Sequence, residues 1–255
     1  MTTPRPIPRI FSPQRRSHRL ARARSRQSGA GAARYVLDDI TEDMCERLAF
    51  VRHRPARALV LGDITGALDQ ALEAQGTVLV DGAGIDPETP WPVHDLDFIA
   101  VVGLLDAVND LPGALIHIRN ALRPGGLAIA SFIGGASLGA LRAAMLAAEP
   151  MRPAARLHPL VDPRAAPQLL QRAGWKDPVV DTRMLAVRFS SLGMLVRDLR
   201  DQGLSSALAD AAAPLGKAAL SRAETSFAAR ADDSGKTPEA FEIVTLTGRR
   251  SLAGT

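Results

Sequence analysis

The feature that most limits how this chain can fold is a repeated alternation of short apolar runs with helical segments. The apolar runs are residues 58–61, 77–81, 96–102 and 127–133, and the helical patterns between them are residues 67–74 and 111–122. Short apolar runs bounded by turn residues predict strands that are buried on both faces of a parallel sheet. The alternation therefore predicts an α/β fold with right-handed crossovers.

The second half of the chain has a different pattern. Residues 179–189 look extended and residues 241–247 alternate with β-branched side chains, which predicts a late antiparallel hairpin at one side of the sheet. Residues 192–227 have a helical pattern that is interrupted by Gly203 and Pro214. We therefore predict one domain over residues 35–255, with a helical insertion near residues 192–230.

The first 34 residues differ in composition from the rest of the chain. They contain nine arginines and no Asp or Glu, although the net charge of the whole chain is only +4, so the remainder is acidic. This predicts a basic flexible arm, largely solvated, with a helix that begins near Pro13. A mitochondrial transit peptide has a similar composition, and such an arm can also bind nucleic acid or anionic lipid. We expect no nucleic-acid partner, because the body is acidic and the arm lacks aromatic platforms.

Residue types exclude several kinds of chemistry. The single Cys45 excludes an intramolecular disulfide and a cysteine-based zinc cluster, and the histidine spacing matches no metal site, so no metal is expected. The absence of Gly-x-Ser-x-Gly argues against a hydrolase. The uncharged stretch 124–141 is broken by glycine pairs and falls short of the roughly 20 residues that a bilayer span needs. We predict a cytoplasmic location in a bacterium, or the mitochondrial matrix in a eukaryote.

Candidate cofactor-binding residues follow three of the apolar runs, where ligands of open parallel sheets bind. Gly62, Asp63 and Gly66 follow the first run, Asp81 ends the second, and Gly103 follows the third. A carboxylate at this distance from a glycine loop is placed to bind ribose hydroxyls. The loop has only two glycines, and its Asp63 brings either a negative charge or an acceptor for an amino group. It is therefore either part of a nucleotide site or a plain strand-to-helix turn.

Further segments carry a more specific pattern, for example VNDLPGAL at residues 108–115 and LLQRAGW at residues 169–175. The other matching segments are residues 10–11, 122–126, 134–142, 148–149, 158–162, 178–181, 194–200 and 241–248. Together they resemble the class I methyltransferase-like family of the mitochondrial respiratory complex I assembly factor and its alphaproteobacterial relatives. The resemblance implies a Rossmann-like, seven-stranded sheet that binds S-adenosylmethionine (SAM) and acts on a protein. Arginine methylation or hydroxylation of a complex I subunit is proposed for members.

The chain departs from this family on the cofactor side. The family's first loop reads Leu-Gly-Cys-Gly-x-Gly, whereas residues 61–66 read LGDITG. A His-Trp pair of the family is replaced by Asp106-Ala107. The span from Asp81 to Asp97 is about half as long as in the family, and its prolines argue against a helix or strand there. We therefore predict that the third strand of the family and its helix are lost.

Two functions remain open. The first is a SAM-dependent methyltransferase-like protein that acts on a protein substrate, in respiratory complex I assembly. No catalytic residue is assigned, because methyl transfer from a sulfonium depends mainly on positioning and desolvation. The second is a non-catalytic assembly or adaptor protein that kept the fold, lost SAM binding and contacts a protein partner such as a complex I subunit. The changes in the cofactor loop favour the second, and a fold alone does not establish activity.

Overall fold

The computed structural model describes residues 9–252, which form one six-stranded sheet with helices on both faces. The strands are β1 (Arg57–Leu61), β2 (Val78–Val80), β3 (Leu96–Val102), β4 (Leu122–Ile133), β5 (Lys176–Phe189) and β6 (Thr237–Arg249). The helices are α1 (Pro13–Gln27), α2 (Tyr35–Phe50), α3 (Ala67–Glu73), α4 (Leu111–Ala121), α5 (Gly139–Ala148), α6 (Ala166–Arg172), α7 (Leu192–Asp201) and α8 (Lys217–Ala228). Residues 1–8 of the predicted arm lie outside the described residues.

The strand order is β2-β1-β3-β4-β6-β5. The first four strands in this order are parallel, whereas β6 is antiparallel to both β4 and β5. Residues 81–95 contain neither strand nor helix, so β2 is the edge of the sheet. The predicted Rossmann-like methyltransferase fold, with its late antiparallel pair and without the family's third strand, is confirmed.

The central strand β3 shows why the apolar runs become buried strands. All seven of its residues are buried, and successive side chains point to opposite faces of the sheet. Phe98 and Ala100 pack in the core with α2, α3, α5, α7 and α8, whereas Ile99 and Val101 pack in a second core with α4 and α6. Alternating helices on both sides of a parallel sheet thus leave no face of β3 exposed to water.

The predicted helical insertion corresponds to α7 and α8, which are separated near Gly203 and Pro214 as expected. β4 begins at Leu122, five residues before the predicted run, because Leu122 pairs with Leu96 at the start of β3. Among the described residues, no helix is both long enough and apolar enough to cross a bilayer.

The described part of the basic arm differs from the solvated segment expected from its composition. Ser12 caps α1 by accepting a hydrogen bond from Arg15 N, and the helix then packs on the body. Arg16 and Arg19 are 4% and 1% exposed, because acidic groups far along the chain pair with them. The division of the chain at residue 34 stays a prediction.

Candidate functional site

A cleft of about 630 Å³ opens at the carboxyl ends of β1 and β2. One wall is α1, and the opposite wall is the end of the sheet together with the segment 82–87. Gly62 and Asp81 line this cleft, as do Ile64 and Asp69 from the loop and first turn around α3. The position agrees with the general rule that open α/β sheets bind ligands beyond their strand ends.

The five predicted cofactor residues are not all brought together. Gly62 and Asp81 line the cleft, whereas Asp63, Gly66 and Gly103 are not part of its wall. Gly103 donates its amide hydrogen to Ser131 O at 2.8 Å and so joins β3 to β4. The roles of these residues in binding stay predictions.

The backbone conformation explains why the three predicted site glycines are glycines. Gly62, Gly66 and Gly103 have φ values of +85°, +73° and +63°, in the left-handed region that favours glycine. A Cβ on Gly62 would lie 2.0 Å from Val102 O, whereas one on Gly66 would meet only Gln70 Nε2 at 3.9 Å. Gly62 is thus required by close packing of β1 against the end of β3, independently of any ligand.

Asp63 caps helix α3. Its Oδ1 accepts hydrogen bonds from Thr65 N at 3.1 Å and Gly66 N at 3.0 Å, and its Oδ2 accepts from Leu68 N at 2.8 Å and Asp69 N at 3.3 Å. A buried carboxylate in this position satisfies the unpaired amides and the positive end of the helix. These amides are therefore already bound and do not face the cleft as free donors.

We expect Asp63→Ala to lower the free energy of unfolding by about 2 kcal/mol, because four backbone amides lose one carboxylate acceptor. Urea denaturation monitored by circular dichroism measures this change. The control is Asp110→Ala, which removes a single bond from Gly113 N at the start of α4 and should cost about 1 kcal/mol. Equal losses in the two variants would contradict the multiple capping by Asp63.

Three carboxylates line the cleft, together with Arg16 and Arg24. Burial, with the nearby charges of Asp63 and Glu73, raises the pKa of Asp69 to about 6, although Arg24 acts in the opposite direction. Asp81 is exposed, and its Oδ1 accepts a hydrogen bond from Ala83 N at 2.8 Å. Its Oδ2 has no hydrogen-bond partner within the described chain and remains available to a ligand.

Glu88 links the short span between β2 and β3 to helix α1. Its carboxylate accepts hydrogen bonds from Arg16 Nη1 at 2.6 Å and from the backbone amides of Asn109 and Asp110 at 2.8 and 3.1 Å. Burial opposes ionisation of Glu88, but Arg16 and these amides hold its pKa below the usual value. Arg16 also pairs with Asp86 at 2.6 Å. The span between β2 and β3, where the family has its third strand and a helix, is thus held against α1 by ion pairs and hydrogen bonds.

A second polar cluster is fully buried beside the cleft. Asp106 accepts two hydrogen bonds from Arg19 Nη2, at 3.0 and 3.2 Å, and His158 Nε2 lies 3.2 Å from Asp106 Oδ2. Burial alone would raise the pKa of Asp106, but Arg19 and His158 hold it below its usual value. Phe11 packs edge-on against the His158 ring and contacts the small side chain of Ala107.

Sequence reasoning missed Arg16, Arg19 and Asp69. The available signal for the two arginines was helical spacing, because Arg16, Arg19 and Ala23 share one face of α1 and all three are buried. Their acidic partners lie about 70–90 residues away, which no local pattern reveals. The pKa of Asp69 is raised mainly by burial, which only the completed fold creates, and then by the nearby charges of Asp63 and Glu73.

No protein-family model matches the chain. It is 26% identical over 223 residues to a malonyl-[acyl-carrier protein] O-methyltransferase of Coxiella burnetii, an alignment that covers 80% of this chain and 77% of the relative. It is 29% identical over 170 residues to the mitochondrial arginine-hydroxylase NDUFAF5 of Rattus norvegicus, covering 62% of this chain. The aligned part spans about half the length of that relative.

Among solved structures, the [4+2]-cyclase SpnF superposes on 97% of this chain and 99% of its own, with a TM-score of 0.49 and 13% identity. The fold class follows from the strand order and from the homologues. The chain is a homologue of methyltransferases and methyltransferase-like proteins, and its relation to the NDUFAF5 proteins is supported.

Proposed function

We propose that this chain binds SAM in the cleft at the carboxyl ends of β1 and β2 and acts as a methyltransferase on a protein substrate. The observation that carries the proposal is Asp81, which directly follows β2, lines the cleft and has one oxygen without a partner in the described chain. A carboxylate in this position of an α/β sheet suits two ribose hydroxyls. The homology to methyltransferases supports the same cofactor.

The residues present fit SAM in part. Asp81 would hold the ribose, and Gly62 lets the chain pass close to the end of β3. When bound, SAM supplies an electrophilic methyl group. The amides at the start of α3 do not fit as donors for its amino-acid end, because Asp63 already accepts their hydrogen bonds.

A protein substrate, and a role in respiratory complex I assembly, are proposed from the relation to NDUFAF5. The aligned region covers about half of that relative, so neither the activity nor the location of that relative is assigned to this chain. A complex I subunit is the partner that this proposal would test first.

A second candidate function is a non-catalytic assembly or adaptor protein. The observations that favour it are the capping of α3 by Asp63 and the fastening of α1 across the cleft by Arg16, Asp86 and Glu88. In both contacts, polar groups that could bind a cofactor are bound to other groups of the chain. This candidate predicts partner binding that survives Asp81→Ala.

Calorimetric titration of the full chain with SAM and with its demethylated product separates the two candidates. The first predicts binding that Asp81→Ala weakens by on the order of 1–3 kcal/mol, as for a lost hydrogen bond to a charged group. Asp233→Ala, the same change at an exposed loop between α8 and β6, is the control and should leave the affinity unchanged. No heat at millimolar SAM from folded protein would contradict the first candidate and favour the second.

A further inference from the structure

A second cavity, of about 200 Å³, lies beside the end of β4, between α5, α7 and the segment 156–160. Its wall is mainly aliphatic, and His158, Arg156 and Arg200 add the titratable groups. Sites for drug-sized molecules usually measure about 300–1,000 Å³, so an occupant of this cavity must be smaller.

His158 is the polar group that the fold leaves unsatisfied at this cavity. The residue is 4% exposed, and neither ring nitrogen makes a well-formed hydrogen bond. Nε2 lies 3.2 Å from the Asp106 carboxylate, which favours a hydrogen on that nitrogen. Nδ1 is then a buried acceptor without a donor, and an unpaired buried acceptor is costly.

The charges around the cavity restrict the ligand further. Asp106 is already paired with Arg19, and Glu149 is already paired with Arg156 at 2.8 Å. Arg200 is exposed, and no hydrogen bond or ion pair holds its side chain within the described chain. A cationic ligand would therefore find two arginines on the cavity wall and no free carboxylate.

We propose that this second cavity binds a small, neutral group that has an apolar body and an O–H or N–H donor for His158 Nδ1. A phenol has this chemistry, whereas a guanidinium does not. The cluster of Arg19, Asp106 and His158 joins the walls of the two cavities, because Arg19 belongs to α1 and donates a hydrogen bond to Ser205 O, on the cavity wall. This binding does not rest on the proposed function.

Binding is tested on the full chain without SAM, by NMR titration with phenol, toluene and butylguanidinium. Phenol and toluene are alike in size and differ in the donor. His158→Phe keeps a ring in place and removes the acceptor, so the ratio of phenol to toluene affinity should fall by about 2- to 12-fold. An unchanged ratio, or tighter binding of butylguanidinium than of phenol, would overturn the proposal.

Met145→Trp supplies an independent test, because Met145 is partly buried in the cavity wall on α5. A larger side chain there should abolish phenol binding. Leu146→Trp is the matched control, since Leu146 is the next residue of the same helix and is 55% exposed. If phenol binds Met145→Trp as tightly as it binds the original chain, the ligand lies elsewhere and the proposal is wrong. SAM titration of the same samples shows separately whether the cofactor proposal fails.

Discussion

Replacing Asp106 with asparagine is expected to lower the free energy of unfolding by about 3–5 kcal/mol. The side chains of Arg19 and Asp106 are 1% and 0% exposed, so the variant leaves the Arg19 charge buried without its counter-charge. Asparagine has nearly the same size as aspartate, so the loss reports on charge and not on packing. Urea denaturation at pH 7 measures it.

Two further variants check the cause of this loss. Combining Asp106→Asn with Arg19→Met removes the isolated charge, and the double variant should be more stable than Asp106→Asn alone. Asp38→Asn removes one partner of the exposed Arg34–Asp38 pair, whose side chains are 46% and 37% exposed, and should change stability by less than about 1 kcal/mol. A loss of similar size for Asp38→Asn and Asp106→Asn would contradict the buried ion pair.

The pH dependence of stability follows from the lowered pKa of Asp106. Although burial opposes its ionisation, Arg19 and His158 hold the folded-state pKa below that of the unfolded chain, near 3.9. The stabilisation is therefore complete above about pH 4 and is lost as the pH falls through the lower folded-state value. In Asp106→Asn, the acid-induced loss of stability should be correspondingly smaller.

Gly62→Ala is expected to lower the free energy of unfolding by about 2–5 kcal/mol. The φ of +85° disfavours a side chain, and the added Cβ would lie 2.0 Å from Val102 O, a backbone atom within the sheet that cannot move away. The strain and the overlap add to each other. Thermal or urea unfolding of the purified variant measures the loss.

Gly66→Ala is the matched control for this prediction, because it has a similar φ of +73° and open space around its Cβ position. It should cost about 1–2 kcal/mol, from backbone strain alone. Equal losses in Gly62→Ala and Gly66→Ala would contradict the close approach to Val102. The comparison also separates a structural glycine from one retained for a ligand, since SAM affinity is measured on the same two variants.

The arrangement of the sheet was predictable from local patterns. A run such as 98–102 has apolar side chains at every position, and only a strand covered on both faces buries all of them. Turn residues and prolines likewise predicted that residues 82–95 form no strand, because proline removes a backbone donor and restricts φ. These outcomes depend on properties of neighbouring residues, which the sequence contains directly.

Which side chains meet at the site, and what each of them binds, depended on the tertiary structure. Asp63 was expected near a cofactor from its place in the loop, and the fold makes it a cap of α3, because the turn after Gly62 brings its carboxylate over the helix amides. Arg19 belonged to a segment that composition marked as solvated, yet it is buried against Asp106, 87 residues away. Local sequence determines periodicity and backbone conformation, whereas pairing of distant charges depends on the distances that the completed fold creates.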